Sequence, residues 1–252
     1  MLVDSGATFA LLICAAFMGG ALNAVAGGGS FFTFPALVYA GVPPVAANAS
    51  GTLALLPGYF ASTWGFREDL RAPNGLSMSA LIATSLCGGA IGAAFLIVTP
   101  DTVFDAIVPW LLLLATLLFA AGPSLLNALK RNGAEAAPLV QTTSLLLVSV
   151  YGGYFNGGLG IVLLAAFGLL GHRNLNAMNG LKNLLSAVLT AIAVAVYTIG
   201  DAIVWAEALL MMIAATTGGY AAARIARTLP PSVVRWMVIL TGGVMTALFF
   251  RS

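Results

Sequence analysis

The chain has 252 residues, of which 60% are hydrophobic and 7% charged, with a formal net charge of +2 and a mean hydropathy of +1.02. A soluble domain carries about 25% charged residues, so this composition excludes a water-soluble domain. With no run of like charges and no basic amphipathic stretch, nothing points to nucleic acid, and the lipid bilayer is the first partner.

A helix needs about 20 apolar residues to cross a hydrocarbon core of about 30 Å. Long runs such as "IVPWLLLLATLLFAAG", with no alternating strand pattern, predict an all-α polytopic membrane protein and not a barrel. The N-terminus, "MLVDSGATFALLICAAF", has Asp4 and no Lys or Arg ahead of its apolar run. That is the reverse of a secretory signal, so the first segment, 6–41, is expected to be a retained helix. It is interrupted at "GGALNAVAGGGSFFTFPALVYAG", from Gly19. Segments 48–65, 76–98 and 103–122 follow. The fifth, 139–171, is interrupted at "GGYFNGGLGIVLLAAFGLLG", from Gly152, and leads to 177–199, 203–227 and 231–250. Trp64, Trp205 and Trp236 near segment ends are expected as interface anchors, Trp110 as a packing residue, and Cys14 and Cys87 as small core residues.

The two interruptions resemble each other. In both, Gly-Gly precedes an Asn (Asn23, Asn156) and a further glycine (Gly27, Gly160), then an apolar arm of about a dozen residues. Further matches pair Asn48 with Asn179, Thr52 with Asn183, Gly88 and Gly89 with Gly218 and Gly219, and Pro100 with Pro230. The chain is therefore expected to be a tandem duplication, residues 1–131 and 132–252, within one membrane domain. Basic residues cluster at Arg67 and Arg71, Lys130 and Arg131, His172 and Arg173, and Arg224, Arg227 and Arg235, whereas the links with Asp101, Asp105 and Asp201 hold no base. If each interrupted segment is a hairpin that leaves by the face it entered, every basic cluster falls inside, as the positive-inside rule requires. Three crossings then remain per half, so the second repeat is expected to be inverted. Both termini would lie outside, which suits Asp4 better than Arg251. Inverted repeats with broken helices are the architecture of many secondary transporters, which bind substrate at the repeat interface.

Where a helix stops at glycine and restarts, its first amides lack carbonyl partners and, with the helix dipole, form an anion site. The expected tips are Gly27, Gly28, Gly29 and Ser30 in one half, and Asn156, Gly157, Gly158 and Gly160 in the other. Lys182 stands about six residues into its apolar segment, with no carboxylate within two helical turns in that segment. A lysine at a helix centre costs about 2.5 to 3.5 kcal/mol on insertion scales. Two readings stay open: snorkelling to the interface, or meeting an anion near the tips, with Asn179 and Asn183 flanking it and Asn176 on a neighbouring face. Glu207 and His172 are the candidates for ion coupling, against plainer readings as an interfacial carboxylate and a loop histidine.

At "GGALNAVAGGGSFFTFPAL", "GTLALLPGYFASTWGFRED", "GGYFNGGLG", "LNAMNGLKNLLSAV" and "GGYAAARIARTLPP" the chain resembles the sulfite exporter TauE/SafE-like family, also called the toluene-sulfonate uptake permease family, over essentially its whole length. The resemblance implies bacterial inner-membrane transport of sulfur oxyanions or organosulfonates, mostly as export, driven by the proton motive force. By position, the family's glycine-rich motif falls on Gly27 to Gly29, its GT motif on Gly51 and Thr52, and its Asn/Lys motif on Asn179, Lys182 and Asn183. Asn48 and Ser50 depart from a stretch that is commonly more apolar.

The leading expectation is a secondary transporter of a small sulfur-containing anion. Lys182 would neutralise charge, and Asn23, Asn156, Asn179, Asn183 and the tip amides would replace water, with Asn48 and Thr52 nearby. An anion channel of the same architecture is the alternative. An enzyme would want paired carboxylates, a Ser/His pair or metal ligands in the apolar segments, and neither these nor a cofactor motif is present. The oligomeric state, a homodimer included, is left open by the sequence.

Overall fold

The computed structural model describes residues 6–73, 75–129, 137–172, 174–225 and 231–250. Asp4, Lys130, Arg131, Arg173, Arg227 and Arg251, which bear on the expected orientation, lie outside the described residues, as do the side chains of Asn176, Arg224 and Arg235.

The described residues form ten α-helices and no strand: α1 (Gly6–Ala26), α2 (Ser30–Tyr39), α3 (Pro44–Gly65), α4 (Met78–Val98), α5 (Asp101–Leu129), α6 (Pro138–Tyr154), α7 (Leu159–Leu169), α8 (Leu175–Ile199), α9 (Trp205–Ile225) and α10 (Pro231–Phe249). Local chemistry sets their starts. Proline, which needs no amide partner in a first turn, opens α3, α6 and α10. Ser77 Oγ accepts the Ala80 amide at 3.1 Å ahead of α4, and Asn174 Oδ1 accepts the Ala177 amide at 3.1 Å at the start of α8. Asp101 Oδ1 accepts the Val45 amide at 2.9 Å, tying the first turn of α3 to α5.

Among the described residues, four stretches are long and apolar enough to cross a bilayer by length and composition: Gly6–Ala24, Met78–Val98, Asp101–Leu118 and Ala177–Ile199. The chain is an all-α, multi-pass membrane protein. Helix α3 is less apolar because it carries Asn48, Ser50, Gly51 and Thr52, all buried at the centre of the bundle.

Both glycine-broken segments double back. Leu159, opening α7, lies against Gly152 near the end of α6. At the other end Leu163, Phe167 and Leu170 of the α7 arm share a small apolar cavity with Gln141 and Leu145 from the start of α6. Gly29 and Thr33 lie likewise against Gly19 of α1, so α2 folds back along α1.

Helix α1 packs along α9 and α6 along α4, while α3 and α8 meet at the centre and α5 packs on α10. Glycine permits the two outer crossings. A Cβ on Gly20 would run into the Ala215 carbonyl oxygen and one on Gly218 into that of Phe17; one on Gly153 would run into Gly89 O and one on Gly92 into Val150 O. In this set of contacts Gly92 occupies the place of Gly218, and Gly89 that of Ala215. The sequence matching of Gly88 and Gly89 with Gly218 and Gly219 is therefore displaced by one helical turn: glycine pairs match in either register, and only the close approach chooses between them.

An aromatic cluster locks the second break. Phe34 of α2 is edge-on to Phe104 of α5 and to Phe155, with centroids 6.2 and 5.9 Å away, and stacks on Phe249 of α10 at 5.5 Å. The expected core placement of the two cysteines is corrected. Cys14 and Cys87 are exposed on the outer faces of α1 and α4 and not in the core. Trp110 packs edge-on to Phe250 at 5.0 Å, on an exposed face of α5. An apolar segment inside a bilayer has two apolar sides, so hydrophobicity alone does not select the inward one. Trp64, Trp205 and Trp236 are exposed near helix ends, as expected of anchors.

Candidate functional site

The two tips meet. Gly27 and Gly158 adopt left-handed backbone (φ +77° and +69°), a conformation open to glycine at no steric cost. The chain thereby turns sharply after α1 and again before α7. A Cβ built on Gly27 would stand 3.0 Å from Gly160 Cα; one on Gly160 would stand 3.1 Å from Gly27 Cα and 3.3 Å from Lys182 Cδ. Gly27, Gly160 and Lys182 thus form one contact, joining the first break, the second break and α8.

Restarting α2 and α7 leaves amides over. Among the described residues, the amides of Gly28, Gly29, Gly157 and Gly158 donate no backbone hydrogen bond, and no side chain caps either helix. Gly27 itself is held by the Leu22 and Asn23 carbonyls at 3.3 and 3.1 Å. Ser30 is buried in the first turn of α2.

Lys182 is 6% exposed, and its ammonium forms no ion pair among the described residues. Asn183 is buried beside it, whereas Asn179 is partly exposed one turn earlier. Asn23 is buried, and its Oδ1 finds no hydrogen-bond donor among the described residues. Its amide group points at Gly58 of α3, with Nδ2 3.6 Å from where a Cβ would stand.

Asn156 has a different environment. Its Oδ1 accepts the Tyr59 hydroxyl at 2.9 Å, and its Nδ2 donates to Thr190 Oγ1 at 3.3 Å, so it joins α3 to α8 across the second break. The Tyr151 hydroxyl donates to the Gly157 carbonyl at 2.6 Å and the Tyr197 hydroxyl to that of Gly153. Asn48 Nδ2 donates to the Tyr154 carbonyl at 3.1 Å, satisfying the end of α6, and Ser50 Oγ accepts the Val204 amide at 2.9 Å ahead of α9. Asn156 and Asn48 brace the break. Thr52 is fully buried with a hydroxyl that meets no partner among the described residues.

Glu207 is 5% exposed in the first turn of α9, and its Oε2 has no hydrogen-bond partner among the described residues. The expected interfacial carboxylate is therefore buried in protein. His172 lies away from the tips, lining the cavity at the base of the α6–α7 hairpin with its ring edge-on to Phe167 at 5.8 Å.

Tyr59, Tyr151, Tyr197 and Thr190 were not singled out by sequence. The signal was present: a tyrosine inside an apolar segment needs a partner for its hydroxyl, and Tyr151 directly precedes the Gly152–Gly153 pair.

Hairpins of broken helix meeting beside a buried lysine, within a bundle of apolar helices, define a multi-pass membrane protein whose polar groups converge inside. The sulfite exporter TauE/SafE family model matches residues 12–249, and the chain belongs to that family. It is 29% identical over 240 residues to the probable membrane transporter protein ORF9 of Sinorhizobium sp, an alignment covering 92% of this chain and 88% of that protein. It is 27% identical over 245 residues to a probable membrane transporter protein of Haemophilus influenzae, covering 94% and 92%. With the probable membrane transporter protein YfcA of Escherichia coli K12 it shares 26% over 238 residues, covering 94% and 87%. No solved structure matches the chain. The protein works in membrane transport and is not an enzyme.

Proposed function

We propose that the protein is a secondary transporter, working as an exporter, of sulfite or an organosulfonate across the bacterial inner membrane. Residues 1–131 and 132–252 act as inverted halves, and the anion is held by alternating access where their hairpin tips meet. The observation that carries this reading is the contact of Gly27 and Gly160 beside Lys182, a buried lysine with no counter-charge among the described residues. A cation held in that position costs free energy unless an anion completes it. The amides of Gly28, Gly29, Gly157 and Gly158, which donate no backbone hydrogen bond among the described residues, add donors in the same region, and half-helix N-termini suit anionic groups. Asn179, Asn183 and Asn23 supply further polar contacts.

The test is sulfite counterflow into proteoliposomes, wild type against Lys182→Met, with a sulfonate competitor. Saturable uptake that the mutant loses is expected. Unchanged uptake in folded Lys182→Met would remove the lysine from the mechanism. An anion channel is the second reading, favoured by one observation: Glu207 is the only buried carboxylate among the described residues, which leaves little to carry a coupled proton. Conductance in a planar bilayer without saturable counterflow would select it.

A further inference from the structure

Lys182, Ser186 and Thr190 of α8 follow one another at intervals of one helical turn and so share a helix face. The two outer members of this row touch the second break. Thr190 Oγ1 accepts a hydrogen bond from Asn156 Nδ2 at 3.3 Å, and Lys182 Cδ lies 3.3 Å from where a Cβ on Gly160 would stand. Ser186, between them, therefore faces the turn that runs from Asn156 to Gly160.

That turn presents donors. The amides of Leu159, Ile161 and Val162 are taken up by the carbonyls of Asn156 and Gly158, but those of Gly157, Gly158 and Gly160 donate no backbone hydrogen bond among the described residues, and no side chain caps the helix. Amides in a first turn point along the axis toward the N-terminal end of their helix. The Gly160 amide therefore points back from the Lys182 contact toward the level of Asn156, the stretch that Ser186 faces.

Ser186 is 0% exposed, and its Oγ has no hydrogen-bond partner among the described residues. A helical Ser or Thr can donate to the carbonyl one turn back, as Thr63, Thr116, Thr198, Thr216 and Thr246 do here at 2.7 to 2.8 Å. For Ser186 that carbonyl belongs to Lys182, and the bond is not made. A hydroxyl buried without a partner is unfavourable. Here it stands one turn from a buried ammonium that forms no ion pair among the described residues, and opposite amides left over by the restart of α7. All of these groups can donate, and an oxyanion is the partner that satisfies a set of donors.

We propose that Ser186 is a ligand of the transported anion: its hydroxyl donates to one oxygen, the Gly160 amide to a second, and the Lys182 ammonium meets the charge. Three separate donors suit a sulfite or sulfonate head, which offers three oxygens, better than a carboxylate, which offers two. The assignment rests on the transport reading above and adds Ser186 to its residues.

Anion binding to the purified protein tests it, read as the rise of the thermal unfolding midpoint with sulfite or methanesulfonate in wild type, Ser186→Ala and Lys182→Met. Ser186→Ala removes a hydroxyl that has no partner, so its midpoint without anion is expected to match or exceed that of wild type. Its Kd for sulfite is expected to rise about tenfold or more. A Kd within about twofold of wild type overturns the assignment; if Lys182→Met still weakens binding, the transport reading stands without Ser186. A lower midpoint for Ser186→Ala without anion would show that the hydroxyl is already bonded inside the protein, which also overturns it. A wild type whose midpoint neither anion moves brings down the proposed substrate and the assignment together.

Discussion

Gly27 and Gly160 face each other so closely that a Cβ on either would stand 3.0 to 3.1 Å from the other's Cα. Gly160→Ala keeps a helical backbone and adds only a methyl group, which must push the tips or the Lys182 stem aside. A loss of about 1 to 3 kcal/mol is expected, typical of overpacking, together with a fall in flux. Gly27→Ala is expected to lose more, because its φ of +77° strains any side chain. Thermal unfolding of the purified variants checks both; a wild-type midpoint for Gly160→Ala would mean the tips do not touch.

Tyr59→Phe strips one hydroxyl and leaves Asn156 Oδ1 buried without its donor. The expected cost is about 1 to 3 kcal/mol. Combined with Asn156→Ala, the two changes should be non-additive by about 0.5 to 3 kcal/mol. Strict additivity in a double-mutant cycle of unfolding free energies would show that the pair is not coupled.

The crossing of α1 on α9 is a glycine contact, so Gly20→Ala must drive the helices apart. We expect it to lower the unfolding midpoint well beyond Gly243→Ala, whose added methyl meets nothing within 4 Å. The latter should be neutral or stabilising by about 0.8 to 1 kcal/mol through helix propensity. Equal midpoints for the two variants would refute the crossing.

Cys14 and Cys87 lie on outer faces of apolar helices. Replacing each by Ala should move stability by less than about 0.5 kcal/mol, as for positions with no packing role. In membranes both thiols should react with a permeant maleimide and resist a charged one. Reaction of either with the charged reagent would place that face in water.

Glu207 is buried with Oε2 unpartnered in the first turn of α9. If it carries the coupling proton, Glu207→Gln should abolish stimulation of flux by a pH gradient and leave sulfite counterflow within about twofold, since exchange needs no net proton movement. Undiminished stimulation in the mutant assigns coupling elsewhere, for instance to a protonated anion.

The sequence alone determined the membrane class, the helical segments, the two glycine breaks and the isolation of Lys182. All of these are local or compositional: an apolar run is long enough to span, glycine ends a helix, and one charge among apolar residues is conspicuous wherever the chain goes. The structure decided what depends on which helices become neighbours and how each is rotated about its axis. The partners of Asn156 could not be read from the sequence: the fold brings Tyr59, 97 positions earlier, and Thr190, 34 later, to its amide group. Cys14 and Cys87 could be read as core residues until the helices turned those faces outward. The register of the glycine pairs shifted by a turn for the same reason. A helical segment can present any face to its neighbours, and only close packing of one backbone against another, such as Gly20 on Ala215, selects the face and the level at which they meet.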